Sequence, residues 1–201
     1  MKADVYRRPL GKVLRIPVRR REDFAAIERA QPVEVVAVDR ATECHVTPPD
    51  VAARMVSYLG RIGDMQALEP SAGTGNLSRA MIEAGHSRFE LTQVERHHKL
   101  AGMLHGYGSV IHRCFLDYAE EARGKVEFVR VIMNPPFREV RKHVAAAVSL
   151  MGRNGHDCPA CLVALVPVTF HWDGAEELER LPVDTFAAAR VHTKIIRIYG
   201  A

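Results

Sequence analysis

The chain has 201 residues, 47% of them hydrophobic, and a formal net charge of +4 at pH 7. A chain of this size and apolar content can bury a single sizeable core, which supports one domain. The sequence shows no internal repeat, low-complexity tract, signal peptide or transmembrane run, so we expect a cytoplasmic protein that does not bind membranes.

Positive charge is concentrated at the amino terminus. The segment 1–21 carries eight lysines and arginines against Asp4 alone, a net of +7, so the rest of the chain sums to −3. This concentration favours binding to the phosphate backbone of a nucleic acid, although a basic tail without a ligand has the same composition. We predict a basic arm or lid over residues 1–44, with short strands within residues 10–40, and one domain over residues 45–201.

The first predicted helix begins in the segment 45–56. Thr47 is the expected N-cap and Pro48 the expected first residue, and the apolar residues that follow fall on one helical face. On its own this pattern indicates only the start of a helix.

A strand, a glycine loop and a second helix are predicted over residues 67–85. Gly73 and Gly75 let the backbone approach a ligand without a Cβ in the way. We expect Asn76 to be the N-cap of the helix and Gly85 to end it. A Gly-x-Gly pattern is shared by dinucleotide sites and plain turns, so the loop alone does not identify a ligand.

Two acidic residues accompany the loop. Glu69 precedes it, where a carboxylate would repel a pyrophosphate but attract an ammonium or sulfonium group. Glu95 ends the next predicted strand, 89–95, at the distance from Gly75 at which dinucleotide-binding folds place their ribose-binding acid. A carboxylate at this position can accept hydrogen bonds from both hydroxyls of a ribose, and the alternative is a solvated charge at a strand end.

A helix near residues 97–104 and a third strand at 109–113 follow. The next strand is predicted at 128–133, and it stops at Asn134-Pro135-Pro136-Phe137 because neither proline can donate a hydrogen bond to a sheet. This end offers the amide oxygen of Asn134, the carbonyl of Pro135 and the ring of Phe137. Two acceptors beside a flat apolar face suit a planar substrate that carries an amino group.

The remaining pattern completes an alternating α/β order. We predict a helix at about 138–151, a fifth strand at 161–166, and a closing antiparallel pair at 181–186 and 191–199. This alternation favours a doubly wound α/β sheet.

The four cysteines, Cys44, Cys114, Cys158 and Cys161, are expected to be free thiols, as is typical of cytoplasmic proteins. Cys158 and Cys161 with nearby His156 resemble half of a zinc site, but structural zinc needs four ligands. Cys161 also opens an apolar strand and is expected in the core, so we predict no metal.

The glycine loop, the strand-end acid and Asn134-Pro135-Pro136-Phe137 occur in the same order in class I S-adenosylmethionine-dependent methyltransferases of the amino-methyltransferase branch. The segment around Thr47 and Pro48 resembles the helix start of the gamma class of DNA adenine-N6 methyltransferases. The resemblance covers roughly residues 45–199. It implies a Rossmann-like class I methyltransferase fold, with a mostly parallel sheet and an antiparallel terminal strand.

The resemblance also implies roles for individual residues. Asn134, Pro135, Pro136 and Phe137 would be the catalytic element. S-adenosylmethionine would be bound by residues from four segments, namely Thr47, Glu69, Ser71, Gly73, Gly75, Glu95, Phe115 and Asp117.

One position departs from the family. The aspartate that accepts from the adenine amino group of the cofactor is replaced by Cys114, and the nearest acid is Asp117. Phe115 can still stack on the adenine ring. Asp117 could make the adenine contact or simply cap a helix.

We therefore expect transfer of a methyl group to an exocyclic amino nitrogen, foremost adenine N6 in DNA bound through the basic arm. The alternatives are an adenine or guanine of RNA, a glutamine amide of a protein, and a binding protein without turnover. Only a short segment, 138–160, separates Asn134-Pro135-Pro136-Phe137 from the fifth strand, so we expect no separate target-recognition domain. The sequence leaves the oligomeric state open.

Overall fold

The computed structural model describes residues 46–186 and 191–200. The predicted arm, its strands and Cys44 lie outside these described residues. The helices are α1 (Pro49–Ser57), α2 (Asn76–Glu83), α3 (His98–Met103), α4 (Phe115–Ala122) and α5 (Val140–Val148), and a 3-10 turn at Phe137–Glu139 precedes α5. The strands are β1 (Ala67–Pro70), β2 (Leu91–Glu95), β3 (Ser109–His112), β4 (Arg130–Met133), β5 (Cys161–Pro167), β6 (Glu176–Arg180) and β7 (Thr193–Tyr199).

The seven described strands form one sheet in the order β3-β2-β1-β4-β5-β7-β6. Strands β1 to β5 run parallel to one another, whereas β7 is antiparallel to β5 and β6 is antiparallel to β7. The predicted sheet, mostly parallel with an antiparallel end, is confirmed. The chain order reverses direction across the sheet between β1 and β4, which is where ligands bind in open α/β sheets.

Apolar residues cover both faces of the sheet. One core packs α1 and α2 on the first face and includes Met55, Met81 and Ile132. The other packs α4 and α5 on the opposite face and includes Phe115, Val131 and Val144. Successive residues Val131 and Ile132 therefore enter different cores, as the alternation of side chains along a strand requires. A central strand such as β4 is consequently buried throughout.

Two predicted helix starts are wrong by one residue. Helix α1 has Pro48 as its N-cap and Pro49 as its first residue, so Thr47 is not the N-cap. The reason is steric, because Pro49 disfavours the helical conformation in Pro48, the residue before it. Helix α2 begins at Asn76 itself after Gly75, which is left-handed with φ +76°.

The predicted end of α2 is confirmed. Gly85 has φ +95° and donates its N–H to the Ile82 carbonyl, while the His86 N–H donates to the Met81 carbonyl. These two hydrogen bonds form a Schellman motif, which satisfies carbonyls that the helix leaves unpaired.

The closing strand pair was predicted only in part. The partner of β7 is β6, Glu176–Arg180, and the predicted strand at 181–186 is absent. Pro182 begins a turn closed by the Thr185 N–H, so this segment leaves the sheet, and Leu181 and Phe186 pack into a core. Strand β6 was not predicted because most of its residues are charged and it lacks an apolar pattern.

The charges of β6 are matched by its surroundings. Glu176 pairs with Arg197 and Glu177 pairs with Lys194 on neighbouring β7, and Glu179 pairs with Arg54 of α1. Hydrogen bonds from Arg180 and Lys194 hold the pKa of Glu177 at about 2. The strand is thus joined to the chain by backbone pairing and ion pairs.

Two of the cysteines, Cys158 and Cys161, lie near β4 and β5. Cys161 is buried in the core, as predicted, and burial raises the pKa of its thiol to about 11. Cys158 Sγ accepts a hydrogen bond of 3.3 Å from the guanidinium of buried Arg130. Cys114, Cys158 and Cys161 are free thiols, as expected. No helix of residues 46–186 and 191–200 is both long and apolar enough to span a membrane.

Candidate active site

A cleft opens at the carboxyl ends of β1, β2 and β4, where the predicted motifs meet. Such an edge is the usual ligand position in a doubly wound sheet. Among the predicted residues, the cleft is lined by Thr47, Glu69, Ser71, Gly73, Glu95, Phe115, Asn134 and Pro136. Gly75, Asp117, Pro135 and Phe137 are not among the residues that line it.

The glycine loop takes left-handed backbone conformations at three of its residues. Ser71, Gly73 and Gly75 all have positive φ, of 58°, 57° and 76°. The left-handed conformation of Gly75 favours glycine, and a Cβ there would lie 2.6 Å from Leu104 Cδ2, so the end of that side chain would have to shift.

Glu95 ties the loop to the end of β2. Its side chain is only 4% exposed, with Oε2 accepting from the Gly73 N–H at 2.8 Å and Oε1 accepting from the His97 N–H at 2.7 Å. A carboxylate has about four acceptor sites, so these two bonds leave capacity for ligand hydroxyls. Glu95 can therefore shape the loop and accept from a ribose at the same time.

Glu69 lies deeper in the same cleft and is 2% exposed. Its Oε2 accepts from the Ser78 N–H at 2.9 Å and from the Ser78 hydroxyl, at the first turns of α2. Burial raises the pKa of Glu69 to about 8. The hydrogen bonds from Ser78 lower this pKa, and the negative charge of Glu95 raises it further. The carboxyl group is therefore largely protonated at pH 7 in the free protein.

Asn134 is oriented by the segment in front of α1. Its Nδ2 donates to Thr47 Oγ1 at 3.0 Å, and Asn76 Nδ2 donates to the Thr47 carbonyl at 2.7 Å. The hydroxyl of Thr47 is thus used to fix Asn134 rather than to cap a helix. This contact joins the two predicted halves of the site, 87 residues apart in sequence.

The residues after Asn134 form a compact turn. Pro135 is buried, and Pro136 precedes the 3-10 turn with φ −56° and ψ 122°. Phe137 is half-buried at the first position of that turn. The prolines therefore make the path of the chain rigid beside the Asn134 amide.

The start of α4 forms another wall. Cys114 is the N-cap position of this helix and lines the cleft, as does buried Phe115. Asp117 lies in the first turn of α4, outside the lining. The geometry of the described residues thus brings Cys114, rather than Asp117, to the cleft.

Sequence reasoning missed several polar residues of the cleft, and buried His143 is one of them. His143 of α5 is 5% exposed and lies beside Ser71 and Phe115. The available signal was its position on the buried face of α5, next to Val144 and one turn before Ala147. A lone histidine on an apolar face has many structural explanations, so this signal was weak.

Comparison with solved structures identifies the fold. PH1948 from Pyrococcus horikoshii, a candidate RNA methyltransferase, superposes with a TM-score of 0.62 at 18% identity, over 90% of this chain and 100% of that one. The methyltransferase subunit of a type I restriction-modification system from Streptococcus thermophilus gives a TM-score of 0.59 at 15% identity, over 79% of this chain and 46% of that one.

A third structure contains the cofactor suggested by the motifs. Magnesium protoporphyrin IX methyltransferase from Synechocystis PCC 6803, with bound S-adenosylmethionine, has a TM-score of 0.56 at 11% identity, over 89% of this chain and 93% of that one. No protein-family model and no curated protein sequence matches the chain. The chain therefore has the Rossmann-like fold of these methyltransferases.

Proposed function

We propose that this protein is an S-adenosylmethionine-dependent methyltransferase that acts on an exocyclic amino nitrogen of nucleic acid, with adenine N6 in DNA as the favoured target. The observation that carries the proposal is the contact of Asn134 with Thr47, which holds the acceptor amide at the same cleft as Glu95 and Gly73. An amide acceptor and a ribose acceptor are what such an enzyme needs within one cleft.

The cleft residues fit the cofactor. Glu95 has free acceptor capacity for the ribose hydroxyls, Phe115 offers an apolar ring for the adenine, and Glu69 offers a carboxyl group to the cationic methionine end. When bound, S-adenosylmethionine supplies an electrophilic methyl group on a sulfonium. The chain itself supplies position and electrostatics.

The target nitrogen is a poor nucleophile because its lone pair is delocalised into the aromatic ring. Asn134 Oδ1 and the Pro135 carbonyl would accept hydrogen bonds from its two N–H groups, which would localise the lone pair on the nitrogen and aim it at the methyl group. Phe137 would stack on a base taken out of its helix. The proton is lost from an acidic ammonium after transfer, so no strong base is needed.

The choice of substrate follows from charge and from the Thr47 segment. The net charge of +7 over residues 1–21 supports a polyanion over a protein glutamine. The resemblance of the Thr47 segment to gamma-class enzymes supports DNA, while PH1948 keeps an RNA base as the second candidate.

The deciding experiment is incubation of the full chain with methyl-labelled S-adenosylmethionine and separate pools of DNA, RNA and protein. We expect label in DNA, as N6-methyladenine after nucleoside digestion. Label in RNA or in protein glutamine alone would contradict the assignment to DNA. Label in none of the pools, with cofactor bound, would contradict the proposed activity.

The contribution of the arm can be measured by deleting residues 1–21. We expect weaker nucleic-acid binding and a flatter dependence of log affinity on log salt, because each lost phosphate contact reduces the slope by roughly 0.7–0.9. Cofactor affinity, measured by calorimetry, should not change. An unchanged salt slope would show that the arm is a tail and would favour a protein substrate.

Glu69 predicts a dependence of cofactor binding on pH. A bound cation favours the ionised carboxyl group, whose pKa is about 8 in the free protein, so binding should release a proton below that pH. Affinity should rise as pH increases from 6 to 8, by at most about tenfold per unit, and level off above pH 8.

The matched control is Glu69→Gln, whose side chain does not titrate and should give a flat profile over the same range. Comparing S-adenosylmethionine with S-adenosylhomocysteine separates the sulfonium from the ammonium, because the homocysteine product lacks the sulfonium charge. A flat wild-type profile for both ligands would contradict placement of a cationic group beside Glu69.

A further inference from the structure

His143 joins three segments that are distant in sequence. It projects from α5, with Nδ1 3.4 Å from the hydroxyl of Ser71 and its ring centroid 5.7 Å from that of Phe115. Ser71 follows β1, Phe115 begins α4, and α5 follows the Asn134 turn. One imidazole therefore contacts the glycine loop and the predicted adenine wall, from the helix that follows the Asn134 turn.

The residue that His143 contacts has a strained backbone, since Ser71 is left-handed and is not glycine. It has φ +58°, a left-handed conformation that residues with a Cβ rarely adopt. Strain of this kind persists only where the surroundings fix it, and it clusters at functional sites. Two residues later, Gly73 donates its N–H to Glu95, so the contact of Ser71 with His143 lies in the same loop that Glu95 holds.

The ring suits this position better than an aliphatic or cationic side chain. Burial holds the pKa of His143 below its ordinary value, so the imidazole is neutral at pH 7. A neutral imidazole can form a hydrogen bond with the Ser71 hydroxyl without placing a positive charge beside a cationic ligand. A leucine would fill the space but leave this hydroxyl without that contact.

We infer that His143 is a positioning residue that fixes the glycine loop through Ser71 and thereby sets the affinity for the cofactor. The inference rests on the proposed function for the identity of the ligand. The fixing of the loop itself is a property of the free protein and can be measured without any ligand.

The test compares His143→Leu, His143→Asn and Ser71→Ala in the full chain. Asparagine places a hydrogen-bonding group near the position of Nδ1, and Ser71→Ala removes only the hydroxyl at an unchanged backbone. We expect His143→Leu and Ser71→Ala each to weaken S-adenosylmethionine binding about tenfold by calorimetry. The double variant should be no weaker than either single variant, and His143→Asn should stay within about threefold of the wild type.

A matched control separates positioning from stability. His86 is also buried, and its Nδ1 accepts from the Gly63 N–H outside the cleft. His86→Asn should alter the melting temperature at most, without changing cofactor affinity. If His143→Leu lowers the melting temperature but leaves cofactor affinity intact, His143 is only structural and the inference is wrong.

Hydrogen exchange in the free protein keeps the test independent of the ligand. His143→Leu should speed exchange of the Gly73 N–H at least several-fold, while exchange of amides in β4 should not change. If the wild type does not bind S-adenosylmethionine, the proposed function fails, but this exchange result still decides the role of His143. Unchanged exchange at Gly73 would overturn it.

Discussion

Asn134→Ala is expected to lower methyl transfer by about a hundredfold or more, the scale observed when one preorganised polar group is removed from an active site. The expected result depends on rigidity. Asn134 follows a buried strand, precedes two prolines, and is held by Thr47 Oγ1 at 3.0 Å. Its amide can therefore meet the target amino group without reorganisation, and alanine removes that acceptor.

Cofactor binding separates this effect from damage to the fold. The Asn134→Ala variant should bind S-adenosylmethionine nearly as well as the wild type by calorimetry, because the proposed cofactor contacts lie on other segments. Asn134→Asp keeps acceptor oxygens but loses the Nδ2 donor to Thr47, so it should retain more activity than alanine. Transfer at the wild-type rate in the alanine variant would remove this turn from the catalytic element.

Glu95→Ala is expected to weaken cofactor binding by about 1.5–3 kcal/mol, the range for hydrogen bonds to charged groups. Besides the loss of the ribose contact, the structure gives a second reason why this substitution should weaken cofactor binding. Glu95 accepts from both the Gly73 and His97 N–H groups, so alanine also releases the glycine loop. The dissociation constant should rise roughly 10- to 150-fold in calorimetry.

The ribose contact and the loop support can be distinguished with a second ligand. We expect wild-type protein to bind S-adenosylhomocysteine more tightly than its 2′-deoxy analogue, and Glu95→Ala to bind the two about equally. If the variant weakens both ligands by the same factor, Glu95 only supports the loop. Undiminished affinity would remove Glu95 from the site altogether.

The parts of the fold that could be predicted are those in which local chemistry determines local structure. Gly85 ends α2 because a left-handed residue is needed there, and Asn134 ends β4 because two prolines follow. Parallel strands place their carboxyl ends at one edge, so motifs far apart in sequence could be expected to meet. Their convergence at one cleft follows from this topology.

The remaining parts depend on tertiary contacts. Strand β6 lacks an apolar pattern because its side chains pair with Lys194, Arg197 and Arg54, which no local pattern reveals. The role of Thr47 depends on Asn134, and the position of His143 depends on Ser71, and each partner lies at least 72 residues away. These contacts exist only after the sheet has formed.

The charged hairpin strand β6 also has a consequence for association between molecules. It is the last strand in the order of the described sheet, and four of its five residues are Glu176, Glu177, Glu179 and Arg180. A strand from another molecule that paired with it would have to desolvate these charges or place like charges opposite each other, so the strand resists aggregation. Among the described strands, β7 carries the cations that match these charges, so β6 pairs with β7 without burying an unmatched charge. The charges that join β6 to β7 therefore also disfavour pairing of β6 with a strand of another molecule at high protein concentration.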